Sequence, residues 1–299
     1  MSFVKGVSVA EAAAVIRAGR LVAFPTETVY GLGANALDGA AVERIFAAKG
    51  RPRTSPLIVH VDSVEMAHDL AARWPDAAET LARRYWPGPL TLVVPKRAVI
   101  PDIVTAGLAT VGLRMPAHPL ALELIRAAGV PIAAPSANRF SELSPTTAGH
   151  VPESLADYVL DGGPARVGIE STVLSLVDAP LLLRPGVIPL PEMEALIGPI
   201  AVAAAPGTGP HESPGMHARH YRPATPLFLL LPGERPPLGK GAWMRMGREM
   251  PENALDYAAV LYETLHRLDA QGLDWIAVER PPDTPEWAGV LDRLRRAAG

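Results

Sequence analysis

Residues 20–33, with the sequence RLVAFPTETVYGLG, decide the fold, because a short apolar run is followed there by a polar turn. The run 21–24 predicts a buried strand, and residues 25–31 bring two threonines, a glutamate and a tyrosine directly after it. In α/β sheets, ligands bind beside the carboxyl ends of the strands. The stretch therefore predicts an α/β protein with a ligand site at this strand end, although residues 25–31 taken alone also fit an ordinary turn.

A dinucleotide-binding turn is a second interpretation of the same region. Residues 31–36, GLGANA, fit the pattern G-x-G-x-x-A. However, six residues separate the predicted strand from Gly31, and Arg51 and Arg53 stand about where an acidic ribose ligand belongs. We therefore do not expect a dinucleotide fold.

Outward from this stretch, short apolar runs alternate with helical segments. Capping residues predict helix starts at Ser8, Asp38, Asp62 and Asp76. Further strands are predicted at 57–61, 90–94, 111–114, 132–134, 158–160, 171–177 and 181–183. This mixture predicts an α/β domain with a twisted, mixed sheet and flanking helices. Part of the sheet is expected to be antiparallel, because the last of these strands follow one another without helices.

A change of composition divides the chain. Residues 201–225 have no helix or strand period and are rich in Pro, Gly and His, so they predict a linker or lid loop. We expect a large catalytic domain at 1–200 and a small C-terminal α/β, Rossmann-like domain at 226–299.

Composition limits the function. The 299 residues carry 28 Lys and Arg against 31 Asp and Glu, a net charge of −3, which gives no sign of a nucleic-acid coat or a polybasic membrane anchor. The absence of Cys excludes disulfides, thiolate zinc sites and a Cys nucleophile. With no long apolar run and no signal-peptide pattern, we expect a soluble, cytoplasmic protein.

Two further stretches are candidates for binding phosphate. Residues 49–53, KGRPR, place three cations at a predicted helix end, where Arg can fork onto phosphate oxygens or the cations can simply face the helix dipole. Residues 134–138, APSAN, follow a predicted strand, and Ser136 and Asn138 suit a ligand better than a helix cap. For Ser144, capping and ligand binding both stay open.

The sequence lacks the motifs G-x-S-x-G, H-E-x-x-H and G-K-[ST]. His211, His217 and His220 lie together in the predicted linker with only Glu212 beside them. A solvated or substrate-facing loop is therefore preferred there over a metal site.

Taken together, these blocks resemble the YrdC-type threonylcarbamoyl-AMP synthases. The matching blocks are 20–32, IFAAKGRP at 45–52, PLIVH at 56–60, WPGPLT at 86–91, GLRMP at 112–116, APSAN at 134–138, GGP at 162–164, ESTV at 170–173 and LRPG at 183–186. SPGM at 213–216, HYRP at 220–223 and the terminal α/β unit resemble the long, two-domain branch of that family.

The resemblance implies a nucleotidyltransferase that joins L-threonine, bicarbonate and ATP into L-threonylcarbamoyl-AMP and releases pyrophosphate. A separate complex then transfers the threonylcarbamoyl group to tRNA beside the anticodon. Mg²⁺ would arrive with ATP, and neither membrane binding nor stable nucleic-acid binding is expected. The resemblance assigns ATP binding to Lys49, Arg51, Ser55, Thr110, Ser136, Asn138, Ser144, Arg184 and Tyr221, with Lys49 and Arg51 also catalytic. It assigns threonine binding to Thr28, His60, Arg114 and Ser171, with Arg114 on the carboxylate.

The sequence departs from the family pattern at a few positions. Ser55 stands where Asn is usual, and His217 and Ala218 replace the usual basic and aromatic residues of the linker. One alternative function is carbamoyl transfer through a carbamoyl-adenylate, as in hydrogenase-maturation proteins that contain a similar domain. Another is a tRNA-binding module without catalysis, which the net charge and the lack of an aromatic RNA-binding strand disfavour.

Overall fold

Two sheets organise residues 4–203 and 221–298, which are the residues that this computed structural model describes. The strands are β1 (Val4–Gly6), β2 (Val22–Phe24), β3 (Gly31–Asn35), β4 (Ile58–His60), β5 (Leu90–Pro95), β6 (Thr110–Arg114), β7 (Ile132–Ala133), β8 (Tyr158–Leu160), β9 (Thr172–Ser175), β10 (Leu181–Arg184), β11 (Ala201–Val202), β12 (Leu227–Leu230), β13 (Gly241–Met244) and β14 (Trp275–Glu279). The helices are α1 (Val9–Arg17), α2 (Gly39–Lys49), α3 (Val64–Leu70), α4 (Asp76–Tyr85), α5 (Pro119–Ala128), α6 (Leu190–Ile197), α7 (Ala254–Asp269) and α8 (Ala288–Ala298).

The large sheet has the strand order β1-β8-β2-β3-β7-β4-β6-β5-β9-β10-β11. The sheet contains both parallel pairs, such as β4–β6 and β5–β9, and antiparallel pairs, such as β2–β3 and β5–β6. The late strands β9 and β10 are antiparallel, as their lack of a connecting helix predicts. The predicted α/β class and the mixed sheet are confirmed.

Helices cover both faces of this sheet, because side chains alternate along each strand. In β2, Val22 and Phe24 pack with α1 and α5, whereas Ala23 belongs to the core that includes α2, α4 and α6. All three side chains are fully buried. The strand ends therefore lie between two packed layers, which fixes the turns that follow them.

Local capping accounts for most helix starts. Ser8 and Asp38 cap α1 and α2 as predicted, since their side chains accept hydrogen bonds from backbone N–H groups of the first turn. The start predicted at Asp62 is wrong by one residue, because Ser63 has the extended backbone and accepts from the N–H of Met66. Asp76 is not a cap either: it is the first residue of α4, after Pro75, where its charge still favours the helix dipole.

The stretch that resembles a dinucleotide-binding turn is strand β3, as the sequence argument against that motif leads one to expect. A Cβ on Gly33 would lie 2.7 Å from Cγ2 of Ile132 and 2.8 Å from Cε1 of Phe24. The glycine is thus explained by close packing within the sheet rather than by a bound pyrophosphate.

The small sheet is parallel throughout, with the order β12-β14-β13. Helices α7 and α8 pack on it, and their apolar cluster also contains Val29, Leu143 and Ile169 of the large domain. The two parts of the chain therefore share a core. No helix in the described part of the chain is both long and apolar enough to cross a bilayer.

The first two residues of the predicted linker are part of the large sheet. Ala201–Val202 form β11, which pairs in parallel with β10, and the N–H of Ala203 donates to the carbonyl of Leu182 at 2.9 Å. The edge of the sheet captures these residues through backbone hydrogen bonds, which their composition does not reveal. Most of the predicted linker, including His211, His217 and His220, lies outside the described residues.

Candidate active site

A cleft opens at the end of β2, where the sequence predicts a ligand site. It encloses about 520 Å³ of space between protein atoms, including the part open to solvent. Eight of the predicted site residues line it: Thr28, Arg51, His60, Arg114, Ser136, Ser171, Arg184 and Tyr221.

The turn after β2 is shaped by Thr26, a buried cleft residue that the sequence analysis did not single out. Its hydroxyl donates to the carbonyl of Val29 at 2.6 Å and accepts from the N–H groups of Thr28 and Val29, both at 3.2 Å. It also lies 2.8 Å from the hydroxyl of Thr28. A threonine shortly before a reversal of the chain is the local signal for such a turn. Thr26 thus fixes the hydroxyl of Thr28 at the cleft.

One wall of the cleft carries a buried ion pair. Nη2 of Arg114 lies 2.8 Å from Oε1 of Glu27, and Oε2 of Glu27 accepts from the N–H of Ala117 at 2.9 Å. The sequence analysis assigned no role to Glu27, because its partner is remote in the chain. Since a guanidinium has five N–H donors, Arg114 can hold Glu27 and still bind a second carboxylate.

His60 stands beside this pair, because β4 and β6 place His60 and Arg114 at the same register position. Burial, and after it the charge of Arg114, lowers the pKa of His60 to about 3. The imidazole is therefore neutral at neutral pH, and its ring meets that of Phe24 edge-on with centroids 5.8 Å apart. A neutral imidazole next to a guanidinium suits a zwitterion such as an amino acid, because it adds a hydrogen-bonding group without a second positive charge.

The basic loop begins where α2 ends. Gly50 ends the helix in the left-handed conformation, with φ of 62°, and turns the chain toward the cleft. Nζ of Lys49 donates to the carbonyl of Ser136 at 2.6 Å and also to that of Asn138. Burial, and after it the charge of Arg51, lowers the pKa of Lys49 well below its usual value. Lys49 therefore supports the 134–138 turn from behind rather than lining the cleft.

Arg51 extends from the same loop into the cleft. Its guanidinium donates to the hydroxyl of Ser55 and, at 3.1 Å, to the carbonyl of Pro56. Burial lowers the pKa of Arg51 to about 10, which leaves the side chain charged at neutral pH. Ser55 thus orients a cation of the cleft.

The opposite wall comes from β9 and β10. Nε and Nη2 of Arg184 donate to the carbonyl of Ser171 at 3.1 and 3.0 Å, and Nη2 also reaches its hydroxyl at 3.2 Å. The hydroxyl of Ser171 lies 2.8 Å from that of Thr91. Glu170, which precedes Ser171, lines the cleft and accepts from the hydroxyl of Ser144 at 2.5 Å. The sequence analysis quoted Glu170 but gave it no role.

The remaining predicted residues lie beside the cleft. Thr110 lines a neighbouring cavity of about 280 Å³, including its part open to solvent, which shares Ile58 with the cleft. Asn138 lines a separate, open cavity, and its amide donates to the carbonyls of Arg139 and Glu142. Lys49, Ser55 and Ser144 act in this structure through hydrogen bonds to cleft residues or to their backbone.

The cleft has a positive surface suited to an anion. Three arginines and one carboxylate line it, together with hydroxyl groups of threonine and serine. Forked guanidinium groups and hydroxyls in a buried setting bind phosphate oxygens well. Among residues 4–203 and 221–298, no group of three or more His, Asp or Glu side chains is arranged to hold a metal ion.

Comparison with known proteins identifies the family. A model for Sua5/YciO/YrdC proteins, described as telomere recombination, matches residues 14–186, and a model of the threonylcarbamoyl-AMP synthase C-terminal domain matches residues 188–299. The chain is an α/β protein of the Sua5/YciO/YrdC family. It has the two-domain form of that family, as the sequence blocks indicate.

Relatives match nearly the whole chain. The threonylcarbamoyl-AMP synthase of Pyrococcus abyssi is 43% identical over 317 residues, covering 96% of this chain and 93% of its own length. That of Bacillus subtilis is 44% identical over 321 residues, covering 97% and 93%. The crystal structure of P. abyssi Sua5 complexed with L-threonine superposes with a TM-score of 0.92 at 42% identity, covering 99% of this chain and 96% of that one.

Proposed function

We propose that this protein forms L-threonylcarbamoyl-AMP and pyrophosphate from L-threonine, bicarbonate and ATP. The observation that carries the proposal is that one cleft joins a wall suited to an amino acid, with Arg114 and His60, to a wall suited to phosphate, with Arg51 and Arg184. The full-length similarity to threonylcarbamoyl-AMP synthases supports the same reaction.

In the proposal, Arg114 pairs with the threonine carboxylate by a forked contact, while Thr28, His60 and Ser171 surround the rest of the amino acid. His60 is neutral and therefore does not repel the amino group. Once the ammonium group of threonine has lost a proton to solvent, the amine attacks bicarbonate, an N–C bond forms, and water is lost to give a carbamate. A carbamate oxygen then attacks the α-phosphorus of ATP, and pyrophosphate leaves.

The nucleotide side works by position and charge rather than by a protein nucleophile. Arg51 and Arg184 stabilise charge on the phosphates, and Lys49, Ser55, Asn138 and Ser144 hold the loops that carry the phosphate site. Ser136 contributes from the 134–138 turn, and Thr110 from the cavity beside Ile58.

Tyr221 closes the cleft in this proposal. It lines the cleft, is buried, and has a left-handed backbone with φ of 63°, which is unfavourable for a tyrosine and is typical of functional positions. A closed cleft excludes water from the mixed anhydride of the product.

Mg²⁺ enters as part of the substrate. Among the described residues, the one carboxylate that lines the cleft is Glu170, and it already pairs with Arg293, so the metal would depend on phosphate oxygens and on hydroxyls. Bound there, Mg²⁺ would neutralise charge on the triphosphate. We further propose a cytoplasmic location and delivery of the product to a complex that modifies tRNA.

The test is pyrophosphate release by the purified protein with ATP, Mg²⁺, threonine and bicarbonate, each omitted in turn, with mass spectrometry of the product. Release that requires threonine and bicarbonate, with the mass of threonylcarbamoyl-adenylate, supports the proposal. Release that ignores threonine but requires carbamoyl phosphate supports the carbamoyl-transfer alternative instead. Salt-sensitive tRNA binding without release would support the tRNA-binding module.

A further inference from the structure

Arg293 reaches the active site from the C-terminal domain. It lies on α8 and is among the largest fully buried side chains of the described residues, with 1% of its surface exposed. Fully buried arginines are rare in proteins, because their desolvation is costly unless every donor finds a partner. Arg293 is separated by 123 positions from Glu170, its main partner, and no part of the sequence analysis involves it.

The guanidinium of Arg293 holds the back of the cleft wall. Nε donates to Oε2 of Glu170 at 2.7 Å and Nη2 to the carbonyl of the same residue at 3.2 Å. Nη1 donates to the carbonyl of Pro185 at 3.1 Å, next to Arg184. The guanidinium carbon also lies 5.3 Å from the centre of the Tyr221 ring, which is within cation–π distance.

The charge of Arg293 is important because it compensates the charge of Glu170. Glu170 lines the cleft, as Arg51 and Arg184 do, and the hydroxyl of Tyr262 on α7 adds a third hydrogen bond to its carboxylate at 3.2 Å. Burial opposes its ionisation, but the charges of Arg293 and Arg184 together with the hydrogen bonds from Ser144 and Arg293 outweigh burial and lower the pKa of the Glu170 carboxyl. Without Arg293, a buried negative charge would remain in the wall of a site that must accept a triphosphate.

Close backbone contacts fix where Arg293 stands. A Cβ on Gly289 of α8 would lie 2.3 Å from the carbonyl oxygen of Gly186, and a Cβ on Gly168 would lie 2.2 Å from that of Ala258 in α7. Both helices of the small domain therefore meet the large domain at backbone-to-backbone distance. The guanidinium of Arg293 is therefore held in place by the docking of the two domains and does not move as a flexible surface side chain would.

We propose that Arg293 is a positioning residue for ATP: it neutralises Glu170 and holds Tyr221 over the nucleotide side of the cleft. The inference rests on the proposed function. It makes the docked C-terminal domain a part of the nucleotide site, although no residue of 226–298, the described part of that domain, lines the cleft. ATP carries several negative charges and threonine is a zwitterion, so a loss of Arg293 acts selectively on ATP.

The central variant is Arg293→Met, which keeps the length of the side chain and removes its charge. The matched control is Arg295→Met on the same helix, since Arg295 is half exposed and pairs with Asp283 at the surface. We expect R293M to raise the KM for ATP about 10-fold or more, as couplings between neighbouring buried charges have this size. The KM for threonine stays near the wild-type value, and R295M behaves as wild type.

Rescue separates positioning from general stabilisation. Glu170→Gln carries no charge, and its amide oxygen accepts from one of the two hydroxyls of Ser144 and Tyr262 while its NH₂ group donates to the other. R293M/E170Q is therefore expected to recover most of the ATP affinity lost in R293M, with E170Q alone as the reference. If R293M does not fold, Arg293→Gln, which keeps hydrogen bonds without the charge, replaces it in the same comparison.

Binding of a non-hydrolysable ATP analogue, measured by calorimetry, tests Arg293 independently of turnover. Equal losses for ATP and threonine, or no recovery in R293M/E170Q, would overturn the inference and leave Arg293 with a structural role. Wild-type protein that binds the analogue, loses that binding in R293M, but does not form threonylcarbamoyl-AMP would instead overturn the proposed function and preserve the role of Arg293.

Discussion

Replacing Arg114 tests the threonine side of the cleft, and the structure shows why the simple substitution is ambiguous. Arg114→Ala removes the proposed partner of the threonine carboxylate. It also leaves Oε1 of Glu27 buried without the cation that lies 2.8 Å away. Both side chains are nearly inaccessible, with 5% and 9% of their surfaces exposed, so solvent cannot compensate for the loss.

The magnitudes of the two effects can be separated. Breaking a buried ion pair from one side costs about 3–5 kcal/mol of the free energy of unfolding. A charge-assisted hydrogen bond to substrate contributes about 1.5–3 kcal/mol, which corresponds to a rise in the KM for threonine of about 10- to 150-fold. Adding Glu27→Gln removes the stranded charge while its amide oxygen still accepts from Ala117. We therefore expect R114A/E27Q to regain most of the stability but not the use of threonine.

The assays are denaturant unfolding and pyrophosphate release with threonine varied at saturating ATP and bicarbonate. Arg126→Ala is the control, because Arg126 is exposed and its carboxylate partner Asp62 lies 3.7 Å away, a surface pair worth about 0–1 kcal/mol. If R114A/E27Q has the same KM for threonine as E27Q alone, Arg114 only stabilises Glu27 and the carboxylate assignment is wrong.

Three further predictions concern the packing and charge around the cleft. Lys49→Met removes two hydrogen bonds to the 134–138 turn. We therefore expect the free energy of unfolding to fall by about 1–3 kcal/mol and the KM for ATP to rise. Unchanged kinetics of this variant would show that Lys49 is not part of the site. His60 has its pKa lowered from 6.5 to about 3, so the unfolded state takes up the proton first and stability falls as pH drops from about 6.5 toward 3. Because His60→Gln cannot take up this proton, we expect its free energy of unfolding to fall less with decreasing pH, so that the loss at pH 5 differs from that of the wild type by about 2 kcal/mol. Parallel pH–stability curves of the two proteins would contradict this prediction. Gly289→Ala forces α8 away from Gly186, so we expect it to lower the free energy of unfolding by about 1–3 kcal/mol. The control is Gly149→Ala, where an added Cβ meets only ordinary contacts. If denaturant unfolding gives the two variants equal stability, the close approach of α8 to Gly186 is unimportant.

The sequence predicts the fold well wherever the determining signal is local. Asp38 and Gly50 bound α2 because a side-chain cap and a left-handed residue act within one turn of the helix. Strand β1 and strand β11 are missed, since they lie at the two edges of the large sheet, are mostly exposed rather than buried apolar runs, and form through backbone bonds to a strand remote in the chain. Short edge strands leave almost no pattern in composition.

The residues of the candidate site fall into two groups in the same way, those with a local signal in the sequence and those without one. Residues within one block, such as Thr28 or Arg51, are predicted because the block itself resembles a known family. Their partners are not, because Glu27 meets Arg114 across the sheet and Glu170 meets Arg293 across 123 positions. A sequence pattern records which residues are present, whereas the charge of the site depends on which of them the fold brings together.

That dependence explains how one cleft can serve two chemically different substrates. Glu27 and Glu170 both place carboxylates at the walls, and each is neutralised by an arginine that reaches it from another element. On the threonine side the compensating arginine, Arg114, lines the cleft itself, so its charge faces the zwitterion while it is partly balanced by Glu27. On the nucleotide side the compensating arginine lies behind the wall, which leaves the positive charges of Arg51 and Arg184 to face the phosphates. The asymmetry between the two walls therefore arises from where each carboxylate finds its cation, and the second of these cations belongs to the C-terminal domain.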